Sequence, residues 1–331
     1  KEYLGQEVVP DSGCGSWLWE PQSTNLFNNS EDFSSGSWVK TDCSVVSNFG
    51  VSPSGQNNAS KITFTTTNTS ARVQYNLGSL TTGNTYTQSY YIKSLGADVT
   101  LRIGTSGAVV GEFTDIIATS EWQRFEFSGI ASGTTEFPRV QNITGILGTE
   151  ILVWAAQAEA LSYATSYIPT SGSTVTRNQD LCTNGGSLAS INSTEGVLYA
   201  EIAALADDGT NRVISLNSGQ RSNSVRLYFD NSGLGEVTMQ VRSGNVLQVI
   251  EKYVLSNLLD FNKIAIKYKE NDFALWVNGV EVATDTSGIT PIGLNTLSFN
   301  DGSLDKFFGK TKALAVFPYL SDQELTELTT I

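Results

Sequence analysis

The sequence contains no histidine, one methionine and three cysteines in 331 residues. Without histidine the chain cannot use a Ser-His-Asp or Cys-His nucleophile, a His-ligated zinc ion or the usual proton carrier near neutral pH. It has no run of about 18 apolar residues, which argues against a membrane-spanning helix. The composition alone therefore excludes the common catalytic arrangements that depend on histidine.

Charge is also scarce, and most of it is negative. Charged residues make up 16% of the chain, and 33 Asp and Glu against 20 Lys and Arg give a formal net charge of -13. A surface this acidic repels phosphate backbones and anionic lipids, so we expect neither nucleic acid nor membrane insertion. Ser, Thr, Asn and Gly take the place of charged residues, a composition typical of β-rich extracellular proteins. Because Lys1 begins the chain without a methionine, we expect its start to have been trimmed.

The three cysteines are Cys14, Cys43 and Cys182, and none belongs to a CxxC motif. This spacing argues against a metal or redox site. In an oxidising compartment Cys14 and Cys43 could form a disulfide, and the alternative is that the thiols are free and buried. The sequence leaves both possibilities open.

Short alternating segments separated by Gly, Ser and Asn turns predict an all-β chain. We expect two tandem β-sandwich (jelly-roll) domains with an N-terminal arm and a short C-terminal helix. The arm covers 1–22, the first sandwich and its connector cover 23–177, and the second sandwich covers 178–331. Within the first sandwich, Thr85–Lys93 alternates with a two-residue period, and the nearly continuous apolar run Glu150–Ala156 predicts a central strand.

Two local signals mark the second sandwich. Asn278-Gly279 between apolar runs predicts a type I′ hairpin, because both positions tolerate a positive φ. Ser321 and Glu324 form the two ends of a capping box and predict a short closing helix.

The arm carries Trp17 and Trp19, two large apolar side chains that must be covered. They could pack on this chain's own domain or on a neighbouring subunit, or form a ligand platform. We assign Trp17 and Trp19 to subunit docking.

Several segments of the first domain resemble a jelly roll similar to carbohydrate-binding modules, a module common in tail and other virion proteins of bacteriophages. The segments that carry this resemblance are Pro21–Phe27, Ser30–Phe33, Trp38, Tyr86–Lys93, Trp122–Arg124, Trp154–Glu159, Ala164–Thr170 and Thr176-Arg177. Ala155 stands where such modules usually have glycine, a departure that bears on packing and not on function.

The second domain resembles a laminin-G-like sandwich of the concanavalin A-like lectin class. The matching segments are Lys263–Tyr268, Leu275–Gly279, Phe307–Lys310, Ala313–Phe317 and Leu320–Leu325. The resemblance implies binding of glycans or proteins, although such folds host many functions.

Sugar recognition needs planar polar side chains for hydroxyl groups and flat apolar rings for C–H faces. In Arg72–Tyr75 the alternation puts Arg72 and Gln74 on one face and Tyr75 on the other, and Arg102 lies on a nearby short strand. In the second domain Arg226 and Tyr228 face alike. These residues are the candidate glycan-binding set.

Calcium is a second expectation, because such sandwiches often hold a structural Ca²⁺ through carboxylate and carbonyl oxygens. Glu31 and Asp32 follow the first strand and Glu159 follows the last, so a jelly roll could bring them together. The Glu-x-Asp-x-x-Glu triplet of the concanavalin-like glucanases is absent, and we expect no enzyme activity.

Together, composition and resemblance predict a non-enzymatic phage virion appendage, such as a tail fibre, spike or capsid-surface protein, that binds host-surface polysaccharide. Its expected partners are other virion proteins and copies of itself, and its expected location is the extracellular virion surface. Two alternatives remain: an architectural decoration or cement protein acting by protein contacts, and a secreted bacterial polysaccharide-binding protein.

Overall fold

The structure is a computed structural model that describes residues 2–3, 6–7, 15–110, 113–182, 185–230, 235–302 and 305–331. Strands account for 54% and helix for 3%, which confirms the predicted all-β class with one short C-terminal helix. No helix in these ranges has the length and apolarity needed to cross a bilayer.

The strands, in chain order, are β1 (Glu2–Tyr3), β2 (Gln6–Glu7), β3 (Trp17–Trp19), β4 (Ser23–Asn25), β5 (Trp38–Thr41), β6 (Cys43–Gly50), β7 (Ala59–Phe64), β8 (Arg72–Tyr75), β9 (Leu77–Gly78), β10 (Thr85–Ser94), β11 (Val99–Val110), β12 (Phe113–Ala118), β13 (Gln123–Asn142), β14 (Glu150–Glu159), β15 (Val175–Arg177), β16 (Glu195–Ala204), β17 (Arg212–Asn217), β18 (Ser224–Phe229), β19 (Glu236–Ser243), β20 (Val246–Val254), β21 (Asn262–Lys269), β22 (Asp272–Val277), β23 (Val280–Asp285), β24 (Thr296–Ser298) and β25 (Gly309–Phe317). The helix α1 covers Asp322–Thr329.

The chain divides into two compact units. One unit, here called the first sandwich, is Gln22–Asn178. The other, here called the second sandwich, comprises Gln179–Ile331 together with Lys1–Pro21. The residues predicted to form an arm are thus grouped with the C-terminal unit.

The first sandwich contains one ten-stranded sheet, and the long strand β13 belongs to both of its halves. Residues 123–130 of β13 pair with β10, which continues through β14 and β7 to β6. Residues 139–141 of β13 pair with β8 on one side and β11 on the other, and β5 and β12 are the outer strands. We call the first half the covered sheet and the second half the open sheet. One strand therefore fixes the register of both sheets.

The core of the first sandwich lies between these sheets. Tyr86, Tyr90 and Ile92 from β10 are buried there, which confirms the alternation predicted for this strand. Strand β14 is central, as its apolar run predicts. Phe27, Phe33, Trp38 and Tyr75 supply an aromatic cluster, with ring centroids 4.5–5.1 Å apart.

Ala155 in β14 has a φ of 54°. A side chain in this left-handed region is strained, and glycine is not. The glycine usual in similar modules thus has a backbone reason at this position.

One face of the covered sheet is closed by the connector that follows β14. Tyr167 packs on Trp154 with ring centroids 5.0 Å apart, and Ile168 N donates to Gln157 Oε1 at 2.6 Å. Arg124 Nη2 donates to Thr165 O at 2.7 Å. The connector therefore lies against the first sandwich.

A polar group sits inside the first sandwich. Glu136 is 3% exposed and its side chain is hydrogen-bonded to Thr105. Burial raises the pKa of Glu136 to about 7, and its charge adds to the burial that raises the pKa of Tyr90. Tyr90 Oη donates to Gln88 Oε1 at 2.7 Å. These side chains form a small polar cluster among the apolar residues of the core.

The second sandwich has a six-stranded sheet in the order β23-β22-β21-β16-β25-β3 and a five-stranded sheet in the order β20-β19-β18-β17-β24. Asn278 and Gly279 have φ of 49° and 87° and link β22 to β23, which confirms the predicted hairpin. The capping box of Ser321 and Glu324 is present at the start of α1. Both local signals thus gave the correct structure.

Strand β3 is the edge of the six-stranded sheet. It pairs with β25, and the Trp19 ring lies 4.5 Å from Phe299 in the core. Trp17 is half-buried and Leu18 is 42% exposed. The structure thus packs this segment on its own sandwich, while docking of Trp17 and Trp19 to another subunit stays a prediction.

Cys43 and Cys182 are free thiols. Cys43 Sγ donates to Arg72 O at 3.2 Å, and burial raises the pKa of Cys43 to about 11. Cys14, the partner considered for a disulfide, lies outside the described residues. Cys43 is therefore a half-buried thiol whose raised pKa disfavours the reactive thiolate.

Candidate functional site

The outer face of the open sheet carries an unusual concentration of arginine and amide side chains. Arg102 in β11 lies opposite Gln141 in β13, which lies opposite Arg72 in β8. One step along the strands, Arg139 lies opposite Gln74 on one side and Gly104 on the other. Three of the chain's nine arginines therefore share one sheet face.

Two further residues complete this face from the edge strand β12. Asp115 lies opposite Arg102, and Phe113 lies opposite Gly104. We call the whole surface the arginine face, and its members are Arg72, Gln74, Arg102, Phe113, Asp115, Arg139 and Gln141.

The two-residue period of the strands explains why these side chains point away from the core. Val73, between Arg72 and Gln74, is fully buried, and so is Val140, between Arg139 and Gln141. Leu101 and Ile103 flank Arg102 in the same way. Because the apolar partners are fixed inside the sandwich, the polar residues must lie on the outer surface.

The registers set the spacing of the three guanidinium groups. Arg72 and Arg102 are separated by two strand spacings, roughly 10 Å. Arg139 is a diagonal neighbour of both, at about 7–8 Å between Cα atoms. All three arginines are half-buried, so their guanidinium groups stay within reach of a solute.

Hydrogen bonds hold these side chains in place. Arg72 Nε donates to Gln74 Oε1 at 3.0 Å, and Arg72 Nη1 donates to Ser70 O at 2.9 Å. Gln141 Nε2 donates to Thr69 O at 2.9 Å, and Arg139 Nη2 donates to Ser106 Oγ. These hydrogen bonds fix the positions of Arg72, Arg139 and Gln141 on the sheet.

Arg102 and Asp115 form a two-pronged ion pair at the edge of the face. Arg102 Nε lies 2.6 Å from Asp115 Oδ1, and Nη2 lies 3.0 Å from Oδ2. The hydrogen bonds from Arg102 hold the pKa of Asp115 below its usual value. The Phe113 ring lies 5.0 Å from the Arg139 guanidinium and 5.8 Å from that of Arg102. Phe113 therefore offers an apolar ring between two cations.

Tyr75, predicted on the opposite side of the same strand, lies in the core. It is 7% exposed, and its hydroxyl donates to Asn28 Oδ1 at 2.6 Å. Because Val73 and Tyr75 share the inward face of β8, Tyr75 is not part of the exposed surface.

Arg226 and Tyr228 lie together in the second sandwich, but both are buried. Arg226 is 2% exposed, its Nη1 donates to Gln240 Oε1 at 2.6 Å, and its Nη2 lies 3.5 Å from Asp301 Oδ2. Its guanidinium lies 4.9 Å from the Tyr228 ring. The arrangement neutralises a buried charge within the fold and leaves little room for a ligand.

The structure does not bring the three predicted calcium ligands together. Glu159 is fully buried and accepts hydrogen bonds from Ser23, Gln157 and Thr165. Glu31 instead accepts from Asn58 and Tyr167, and Asp32 accepts from Ser34 and Ser47. Across the described ranges, no three Cys, Asp or Glu side chains are grouped to hold a metal ion. Glu31, Asp32 and Glu159 therefore do not fit a shared Ca²⁺.

Four members of the arginine face were not indicated by the sequence, namely Phe113, Asp115, Arg139 and Gln141. Arg139 and Gln141 do alternate around Val140, so a local signal exists. What the sequence does not reveal is that this end of β13 lies between β8 and β11, more than 30 residues away along the chain. The pairing of distant strands decided which polar residues meet.

No family model matches the chain, and no curated protein matches it. Solved structures do match, and they include the following three. A carbohydrate-binding module of family 40 from the Ruminococcus gnavus IT-sialidase, bound to α2,3-sialyllactose, is 21% identical with a TM-score of 0.36 and covers 42% of this chain and 83% of its own. The tandem family 22 modules of Paenibacillus barcinonensis Xyn10C are 10% identical with a TM-score of 0.35, covering 92% and 100%. Domains LG4-5 of the mouse laminin α1 chain are 12% identical with a TM-score of 0.29, covering 76% and 86%.

These proteins are of the two kinds that the sequence resembles, carbohydrate-binding modules and laminin G domains. Identities and TM-scores at this level do not assign a ligand to this chain. The site is defined by its own residues.

Proposed function

We propose that the protein binds glycans through the arginine face and acts by adhesion rather than catalysis. The observation that carries this proposal is the face itself, with three arginines and two glutamines on a rigid sheet beside the Phe113 ring. Arginine and glutamine present planar donors to sugar hydroxyl groups, and an aromatic ring packs on sugar C–H groups. Regular strands hold such groups more precisely than loops do.

The chemistry of the face supports binding without turnover. A glycosidase needs two carboxyl groups across the scissile bond, one of them protonated near neutral pH. Among the described side chains of the arginine face, Asp115 is the one acid, and Arg102 keeps it ionised. The described side chains of the arginine face therefore include no general acid for cleaving a glycosidic bond.

A glycan array probed with the purified, multimerised chain tests the proposal. We expect binding to a subset of glycans, with strong loss in Arg139→Ala and in Phe113→Ala. Arg242→Gln, in the second sandwich, changes the charge of a half-buried sheet arginine outside the face and should bind as the wild type does. An array without binding, or binding unaffected by both substitutions in the face, would contradict the proposal.

We further propose that the protein works as a phage virion appendage, a role supported by the sequence resemblance. Single sugar sites are weak, and many copies on one particle make the second contact intramolecular, so that avidity replaces affinity. Mass spectrometry and antibody labelling of purified particles test this role. Presence on particles without any glycan binding would favour the architectural alternative, and recovery only as a free secreted protein would favour the bacterial one.

A further inference from the structure

We infer that the arginine face takes a carboxylate-bearing glycan, with the carboxylate held by Arg72 and Gln74. This inference rests on the proposed glycan-binding function and names the class of sugar. It concerns uronic and sialic acids, whose shared feature is a planar carboxylate on a sugar ring.

The face already shows how it holds a carboxylate. Arg102 binds Asp115 with two nearly parallel hydrogen bonds of 2.6 and 3.0 Å, through Nε and Nη2. Such a fork matches the plane and spacing of two carboxylate oxygens. An arginine on this sheet surface is therefore well placed to bind a carboxylate sideways.

Arg72 is the counterpart of Arg102, but it has no acidic partner equivalent to Asp115. It lies in the same register row as Arg102, with Gln141 between them. Its described contacts are neutral oxygens, Gln74 Oε1 through Nε and Ser70 O through Nη1. Within the part of the chain that the structure describes, Arg72 forms no ion pair. Its charge is thus available to a ligand.

Arg72 and Gln74 each keep one nitrogen that can donate a hydrogen bond to a ligand. Nη2 lies on the same edge of the guanidinium as Nε, which binds Gln74 Oε1 at 3.0 Å. That bond uses the amide oxygen of Gln74 and leaves its amide nitrogen, like Nη2 of Arg72, as a donor. Neither nitrogen donates a hydrogen bond to a residue that the structure describes, and both side chains are half-buried. Together they offer one hydrogen bond to each oxygen of a carboxylate.

The local charge favours an acidic ligand over a neutral one. The face carries three arginines and one aspartate, whereas the whole chain has a formal charge of -13. The charge of Arg72 on a strongly acidic protein directs an anionic sugar to this face and away from the rest of the surface.

The experiment measures binding of an oligogalacturonate and of a sialylated oligosaccharide, each beside its methyl ester, by titration calorimetry with the full chain. We expect at least one of the acids to bind at least about tenfold more tightly than its ester, because a charged hydrogen bond contributes more than a neutral one. Arg72→Gln should remove that preference, and Arg72→Lys should remove most of it, since an ammonium group lacks the planar guanidinium that bonds Gln74 and Ser70 while directing Nη2 to the ligand.

Arg242→Gln is the matched control. Arg242 is half-buried on a sheet in the second sandwich, its Nε donates to Gln240 Oε1 at 3.1 Å, and its Nη1 donates to Asn245 O at 3.2 Å. It therefore reproduces the charge and the local bonds of Arg72 outside the arginine face. Gln74→Glu is a second test variant, because the new carboxylate would occupy the place proposed for that of the ligand.

The outcomes separate the two proposals. Equal binding of acid and ester, or equal loss in Arg72→Gln and Arg242→Gln, overturns the carboxylate inference and leaves glycan binding standing. Tighter binding of dextran sulfate than of the carboxylated sugars also overturns it, because charge without planar geometry would then suffice. If neither acids, esters nor the glycans of the array bind, both proposals are wrong.

Discussion

Glu136 makes the stability of the first sandwich depend on pH in a direction opposite to that of most carboxylates. In the unfolded chain its pKa is near the ordinary 4.5, and burial raises the pKa in the folded state to about 7. Between these values the folded state holds a proton that the unfolded state has lost. The free energy of unfolding must therefore fall as pH rises from about 4.5 to above 7.

The size of the effect follows from the shift. Each pKa unit corresponds to 1.36 kcal/mol, so a rise from 4.5 to about 7 gives about 3 kcal/mol of stability lost above pH 7. Glu136→Gln keeps the shape and a neutral head at every pH. We expect this variant to match the wild type near pH 4 and to exceed its stability at pH 8 by up to about 3 kcal/mol.

Urea unfolding of the full chain at a series of pH values, followed by tryptophan fluorescence, to which the buried Trp38 contributes, measures this. Glu121→Gln is the control, since Glu121 is exposed in the same sandwich and its loss alters net charge alone. An unchanged pH slope in Glu136→Gln, or the same change in Glu121→Gln, would refute the assignment of this slope to the buried carboxyl.

Three further predictions concern other parts of the molecule. Asp115→Asn should release Arg102 and strengthen binding of carboxylated sugars several-fold by calorimetry, with almost no change in stability, and weaker binding would contradict the role given to the local charge. Gly196→Ala should destabilise the second sandwich by about 1–3 kcal/mol in denaturant unfolding, because a Cβ there would lie 2.5 Å from Tyr268 Oη and 3.0 Å from Phe317 O. Ser321→Ala should remove the N-cap of α1, lowering local stability by about 1 kcal/mol as read by faster amide hydrogen exchange, whereas unchanged exchange would exclude a stabilising cap.

Local chemistry determined the parts of the fold that were predictable. The hairpin at Asn278-Gly279 depends on two residues that tolerate positive φ, and the closing helix depends on the capping box at Ser321. Strand faces followed from the two-residue period, which correctly put Tyr86, Tyr90 and Ile92 on one face, the face that is buried in the structure. Each of these features is encoded within a few neighbouring residues.

The candidate site was harder to predict from the sequence, because it depends on which distant strands become neighbours. Arg72 and Gln74 were placed correctly on one face, and Arg102 joins them only because β13 lies between β8 and β11. Arg226 shows the opposite case, since nothing local reveals that Asp301 lies beside it and that it is buried. Alternation gives the face of a strand, and only topology decides whether that face is open.

The regular strand positions that form the arginine face have an evolutionary consequence. The apolar residues that stabilise the open sheet, such as Val73 and Val140, alternate with the polar ones and take no part in the surface. Replacing a polar residue would alter the proposed binding surface while the interior keeps its packing. With the proposed function, ligand preference could therefore drift by single substitutions in a lineage while folding stays constant.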